Sequence, residues 1–256
     1  MDLLILGCGA IGAELARAAE AVPGIGRIYL FDGHRERAER LAGQLIRARV
    51  VDDVDEALRL VDLVVEAASQ EAVVRYGPRI LDAGRDLMIL SVGALSDPKF
   101  LHEVERLARQ RHADVWVPSG AIAGLDALKA VRARATRVEL TTSKPPEALG
   151  LPKGSARKVL FEGSANDAVA KFPRNVNVAA SVSLAGIGSE RTLVRVVSDP
   201  ALARNVHELI VEGDFGRLVV RTENEPSPEN PATSRLAYLS AIEMLRSFSD
   251  PLKVGT

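Results

Sequence analysis

The sequence predicts an α/β protein: a doubly wound parallel sheet at the N-terminus, and an inserted α+β domain built on a mixed sheet. Three observations carry this. Residues 1–118 alternate short apolar runs with stretches of helical periodicity, the pattern of βαβ units. A glycine-rich turn, Gly7-Cys8-Gly9-Ala10-Ile11-Gly12, directly follows the first of those runs. Beyond about residue 135, β-branched runs alternate with polar residues instead, as half-exposed strands do.

Leu3–Leu6 reads as a buried strand, Ile11–Ala21 as a helix, and Arg27–Phe31 as a second strand that ends at Asp32. Helices over Arg35–Leu45 and Val54–Leu60 lead to a strand at Leu63–Ala67. A helix over Glu71–Leu81, a strand at Leu87–Leu90, a helix over Pro98–Gln110 and a strand at Asp114–Val117 complete the series, which closes on Pro118-Ser119-Gly120. In the second region Arg137–Thr142, Thr192–Val197, His207–Val211 and Arg217–Thr222 read as strands. Thr222–Pro231 contains three prolines and reads as a loop, and Ser234–Phe248 returns to helical spacing. The expected organisation is therefore one domain over 1–118 plus 234–256, with 119–233 as the insertion.

Composition narrows the function classes. Nearly half the residues are apolar (47%) and a quarter charged (26%), a globular profile. Thirty-three basic against 34 acidic side chains leave a net charge of −1, so no global field recruits nucleic acid or an anionic membrane. The single cysteine, Cys8, excludes an internal disulfide and a thiolate zinc site, and no Cys/His/Asp cluster suggests another metal. The N-terminus lacks the basic flank and apolar core of a signal peptide, and no stretch approaches about 18 uninterrupted apolar residues. A cytoplasmic protein without a membrane span is the expectation.

The glycine turn matches G-x-G-x-x-G between a strand and a helix, and Asp32 lies 20 residues beyond Gly12 at the end of the next strand, the Rossmann dinucleotide fingerprint. Gly7 permits the tight turn, Gly9 lets backbone approach a pyrophosphate, and Gly12 allows close helix–strand packing. The helix start at Ala10 and Ile11 supplies N–H groups and a partial positive charge. Asp32 is suited to accept hydrogen bonds from ribose hydroxyls and to repel a 2′-phosphate, which points to NAD. Arg35 and Arg37 follow at once, however, and leave NADP open. Ala67-Ala68-Ser69-Gln70 and Ser91–Leu95, after the third and fourth strands, are small and polar; Ala68 is a further candidate for backbone approach to the coenzyme.

Three later segments are more specific: Pro118-Ser119-Gly120-Ala121-Ile122-Ala123-Gly124-Leu125-Asp126-Ala127-Leu128-Lys129-Ala130, Lys171–Ala180, and Asn205-Val206-His207-Glu208-Leu209. With Asn230–Ser234, their order resembles the L-aspartate dehydrogenase family over nearly the whole chain. The resemblance implies NAD(P)-dependent oxidation of L-aspartate to iminoaspartate, and thence oxaloacetate and ammonia, feeding quinolinate and so NAD synthesis. It implies Ala121 and Asn177 as coenzyme contacts and His207 as the catalytic histidine. An amide both donates and accepts, which suits Asn177 to a nicotinamide or equally to a turn cap. Of the four histidines, only His207 lies among apolar strand residues of the insertion. With an ordinary pKa near 6.5, an imidazole can take a proton from the ammonium group or from attacking water. Ser119, Lys171 and Arg174 are candidates for the two substrate carboxylates, or a solvated basic loop. Rival readings are a two-domain relative of the dihydrodipicolinate reductase or homoserine dehydrogenase type, and a non-catalytic NAD-sensing module. Sheet edges that need cover favour a homodimer.

Overall fold

The computed structural model describes residues 1–154, 156–172, 177–227 and 233–254. The chain divides into two compact units, Met1–Pro118 with Ala241–Lys253, and Ser119–Ser240. The candidate residue Arg174 and part of the Asn230–Ser234 motif lie outside the described residues.

The first unit is built on six strands: β1 (Leu3–Leu6), β2 (Ile28–Phe31), β3 (Ala48–Val50), β4 (Leu63–Glu66), β5 (Asp86–Ile89) and β6 (Val115–Trp116). They are all parallel and ordered β3-β2-β1-β4-β5-β6. Between them run α1 (Ala10–Ala19), α2 (Arg35–Ala42), α3 (Val54–Ala57), α4 (Gln70–Asp82) and α5 (Pro98–Arg111). β1 is buried along its whole length, because a doubly wound sheet is covered on both faces; that is why it reads as a continuous apolar run. Burying each such Leu or Ile stabilises the fold by about 1.5–3 kcal/mol. Side-chain caps start the later helices: Asp53 for α3, Ser69 for α4, and Asp97 ahead of Pro98 for α5. β3 is not legible in the sequence, since three residues with a central exposed arginine carry no pattern. Ser91–Leu95, read as a small polar loop, is mostly a 3₁₀ turn over Val92–Ser96.

The second unit carries a five-stranded sheet: β7 (Ala135–Lys144), β8 (Lys158–Ser164), β9 (Thr192–Ser198), β10 (Asn205–Gly213) and β11 (Gly216–Asn224), ordered β11-β10-β7-β9-β8. The sheet is mixed, with β7 and β9 parallel and the other pairs antiparallel. Three helices, α6 (Leu125–Val131), α7 (Ala165–Lys171) and α8 (Asn177–Ala185), pack with its inner face around Leu128, Val138, Leu140, Val182 and Leu209. α8 is buried over most of its circumference, so it has no polar stripe by which to be recognised. The last helix, α9 (Arg235–Ser247), spans the division between the units. Within the first unit Phe248 meets the Trp116 ring edge-on at 5.0 Å.

The expected loop from Thr222 begins too early, because β11 continues through Asn224. There the backbone pairs Thr222 with His207 and Asn224 with Asn205, and the strand's proline-free stretch permits it.

Candidate active site

The glycine loop sits at the end of β1, between β2 and β4, where the strand order reverses and open α/β sheets bind ligands. Gly7 has φ +103°, and a Cβ there would lie 2.8 Å from the Ala67 and Ala68 backbone. Its N–H donates to the Phe31 carbonyl at 2.8 Å. A Cβ on Gly12 would fall 1.8 Å from the Gly7 carbonyl oxygen, whereas one on Gly9 would meet nothing within 4 Å. Gly9 therefore presents bare backbone outward, at the start of a helix that has no side-chain cap and no acid in its first turn. Ala10 and Ile11 begin that helix, half-buried. Such a cradle fits a pyrophosphate.

Asp32 ties the loop to β2. Its Oδ2 accepts the Cys8 N–H and its Oδ1 the His34 N–H, each at 2.8 Å. A carboxylate has about four lone-pair sites, so ribose hydroxyls can still be accepted. Of the two candidates for a 2′-phosphate, Arg35 is paired with Glu39 at 2.7 Å and with Asp52, and Arg37 is exposed on α2. Burial, and then the Asp32 charge, push the Cys8 thiol up to about 12, so it packs as an inert small hydrophobe.

Ala68 is exposed, with its N–H held by Glu66 Oε1 at 2.8 Å. Glu66 is a residue that periodicity missed. It is fully buried at the end of β4 and also accepts the Ser91 N–H at 3.0 Å and the Ser91 hydroxyl at 2.8 Å, which locks together the loops after β4 and β5. Burial pushes its carboxyl above the ordinary range, and these donors oppose the shift. The sequence signal was an acid closing the otherwise apolar run Leu63-Val64-Val65-Glu66.

In the second unit, the inner face of the sheet turns polar at one end. Register sets Thr222, His207 and Thr142 side by side on β11, β10 and β7. His207 is 3% exposed, and its Nδ1 lies 3.0 Å from Thr142 Oγ1. Burial, and then the nearby Lys144 charge, push its pKa down to about 3, well below the ordinary value expected from sequence. Lys144, also unread in the sequence, is 5% exposed, and burial pushes it down to about 8. The Ala121 carbonyl accepts Thr222 Oγ1 at 3.1 Å and Asn224 Nδ2 at 2.9 Å. Its two lone pairs are thus used, which leaves the Ala121 N–H as the main-chain group for a ligand. Ser119 is half-buried beside Gly120, whose N–H donates to Ser240 Oγ at 3.0 Å. Asn177 opens α8 and is exposed. Lys171 is exposed at the end of α7, its Nζ over the rings of Phe161 and Phe172 at 5.6 and 5.8 Å. No group of His, Cys, Asp or Glu side chains with metal-binding geometry occurs among the described residues.

The profile of the aspartate dehydrogenase C-terminal domain matches residues 126–248, and that of the homoserine dehydrogenase NAD-binding domain matches residues 7–118. An L-aspartate dehydrogenase of Methanosarcina barkeri is 47% identical over 98% of both chains. The chain belongs to the aspartate dehydrogenase family. Another relative with that name, from Methanothermobacter thermautotrophicus, is 46% identical over 98% of this chain and 97% of its own. Within the aspartate dehydrogenase family, the crystal structure of the Thermotoga maritima protein superposes with a TM-score of 0.82 at 31% identity, covering 100% of this chain and 99% of that one. A myo-inositol dehydrogenase structure from Sinorhizobium meliloti, at 14% identity and TM-score 0.57, shares the fold alone.

Proposed function

We propose that the protein is an NAD(P)-dependent L-aspartate dehydrogenase, which oxidises L-aspartate to iminoaspartate that hydrolyses to oxaloacetate and ammonium. The observation that carries this is the end-to-end relationship, 47% identity across 98% of both chains, with a relative of that name. In this reading residues 1–118 with 234–256 hold the coenzyme, through Gly7, Gly9, Ala10, Ile11, Gly12, Asp32 and Ala68, while residues 119–233 handle the substrate. NAD, when bound, supplies a hydride acceptor for the substrate α-carbon. Ala121 and Asn177 contact the nicotinamide end.

His207 is the proton acceptor. For its Nε2 to receive a proton, Nδ1 must carry the hydrogen, which Thr142 Oγ1 is placed to accept, so Thr142 supports the reactive tautomer. Burial keeps the imidazole neutral and so able to accept a proton, and at the same time lowers its proton affinity. NAD is preferred to NADP in this reading, because Asp32 faces the ribose and Arg35 is engaged with Glu39 and Asp52. The product iminoaspartate supplies pyridine nucleotide biosynthesis. A homodimer is supported by the two edges of the second sheet, β8 and β11, each of which pairs with a strand on one side only among the described residues. A reducing, cytoplasmic setting suits a chain whose one cysteine is a buried thiol; no helix among the described residues is long and apolar enough to cross a membrane.

Absorbance of the reduced coenzyme, followed with purified protein, L-aspartate and either NAD or NADP, tests the reading. The expected result is aspartate-dependent reduction, faster with NAD. No turnover of aspartate, or turnover of homoserine instead, overturns it.

A further inference from the structure

The last row of the inner sheet face in the second unit is polar throughout. Lys144 pairs with Ser198 on β9, Asn205 pairs with Asn224 on β11, and the register that sets Val206 against Ser143 brings Lys144 beside Asn205. All four are 5% exposed or less. Residues two apart on a strand share a face, so Lys144 lies on the same face as Thr142 and hence as His207, one diagonal step away. Strands of this sheet bury valine and leucine at the equivalent positions further along; of the polar groups that replace them here, the Asn224 amide is met by the Ala121 carbonyl.

Ser198 shows that something is missing. Its side chain is 1% exposed, and its Oγ has no hydrogen-bond partner among the described residues. Buried polar atoms are almost always paired, so an orphan hydroxyl on the residue that pairs with Lys144 across the strands marks a place where a partner belongs. A hydroxyl and an ammonium both donate, as does the amide nitrogen of Asn205, and a carboxylate accepts at both oxygens.

We propose that Lys144, with the Ser198 hydroxyl and the Asn205 amide beside it, is a carboxylate-binding subsite for the acidic substrate, on the sheet face that carries His207. This rests on the aspartate reading and names the residues that recognise the acid. Lys144 takes the role for which Lys171, turned to two aromatic rings at the surface, is poorly placed. The subsite also links recognition to proton transfer. The Lys144 charge disfavours protonation of His207, and a carboxylate seated against that charge cancels it, so the imidazole becomes a stronger base when acidic substrate is present.

Succinate, which has both carboxylates of the substrate but no amino group to oxidise, is the probe. Its binding to the full chain in the presence of NADH is measured by calorimetry for the wild type, Lys144→Met and Ser198→Ala, alongside NADH binding and aspartate kinetics. Lys144→Met is expected to weaken succinate binding and raise the aspartate KM by about 10- to 100-fold, with NADH affinity unchanged; Ser198→Ala should weaken binding by about 3- to 10-fold. Should Lys144→Met fail to fold, Ser198→Ala carries the test. Undiminished succinate binding in the folded variants, or none in the wild type, overturns the subsite. Succinate binding that depends on Lys144 in a protein that does not oxidise L-aspartate keeps the subsite and removes the aspartate dehydrogenase reading.

Discussion

Gly9 and Gly12 lie three residues apart in one loop, yet the space around them predicts opposite consequences for the same added methyl group. In Gly12→Ala the new Cβ would stand 1.8 Å from the Gly7 carbonyl oxygen, some 1.6 Å inside the 3.4 Å at which ordinary contact begins. The obstacle is backbone, held in turn by the Gly7 N–H bond to Phe31, so α1 must retreat from β1. Overpacking of this kind costs about 1–3 kcal/mol, which for a chain of this size lowers Tm by about 2–12 °C. In Gly9→Ala the Cβ meets no protein atom within 4 Å. The residue has φ −74°, a value any L-residue adopts, so stability should fall only by the roughly 0.5–1 kcal/mol by which alanine is the poorer helix N-cap. That same methyl group occupies the space through which a pyrophosphate approaches. Thermal unfolding and NADH titration of the two variants separate the effects: Gly9→Ala keeps its Tm within about 4 °C and loses at least about tenfold in NADH affinity, while Gly12→Ala loses affinity and up to about 12 °C in Tm. A Gly9→Ala protein that binds NADH as the wild type does would refute the assignment of that bare backbone to the coenzyme, and an unchanged Tm in Gly12→Ala would refute the steric reasoning.

Replacing His207 by alanine is expected to lower aspartate turnover by about a hundred- to ten-thousand-fold while NADH binding persists; near-normal turnover would remove it from the chemistry. Its burial also makes a pH prediction. The folded value, pushed down to about 3, lies below the ordinary 6.5, so between these limits the unfolded chain binds a proton that the folded one does not. The His207 contribution is therefore present above about pH 6.5 and lost as pH falls toward 3, at up to about 1.4 kcal/mol per pH unit. Denaturant unfolding across that range should show a shallower acid loss for His207→Gln than for the wild type; identical slopes would mean the imidazole titrates normally. Thr142→Val, which removes the partner of Nδ1, should lower kcat with little change in the aspartate KM, and a change confined to KM would contradict its role in orienting and supporting the imidazole.

The doubly wound half of the fold was legible because its determinants are local. β1, β2 and β4 are buried on both faces and announce themselves as apolar runs, and the glycine spacing has one structural use between a strand and a helix. The inserted half was only partly so. β8 is half-exposed without regular alternation, since its register shifts between Val159 and Phe161, and α8 is buried nearly all round; neither shows a period that separates it from its neighbours.

What the sequence conceals about the site follows from the same distinction. Gly7, Gly9 and Gly12 are intelligible one residue at a time, and the structure adds only which of them is closed by backbone and which is open. Lys144, Ser198 and Asn205 lie up to 61 positions apart, and each alone is an unremarkable polar residue at a strand end. Only β7–β9 and β7–β10 register brings them onto one buried face with His207, and register is a property of paired strands that no single strand encodes. Polarity alone pointed to the exposed cation Lys171; burial reverses the order of interest, because a charge in water needs no explanation and a charge held at 5% exposure does. The residues of the insertion that best account for acid recognition are therefore the ones whose chemistry is least suited to where the fold has put them.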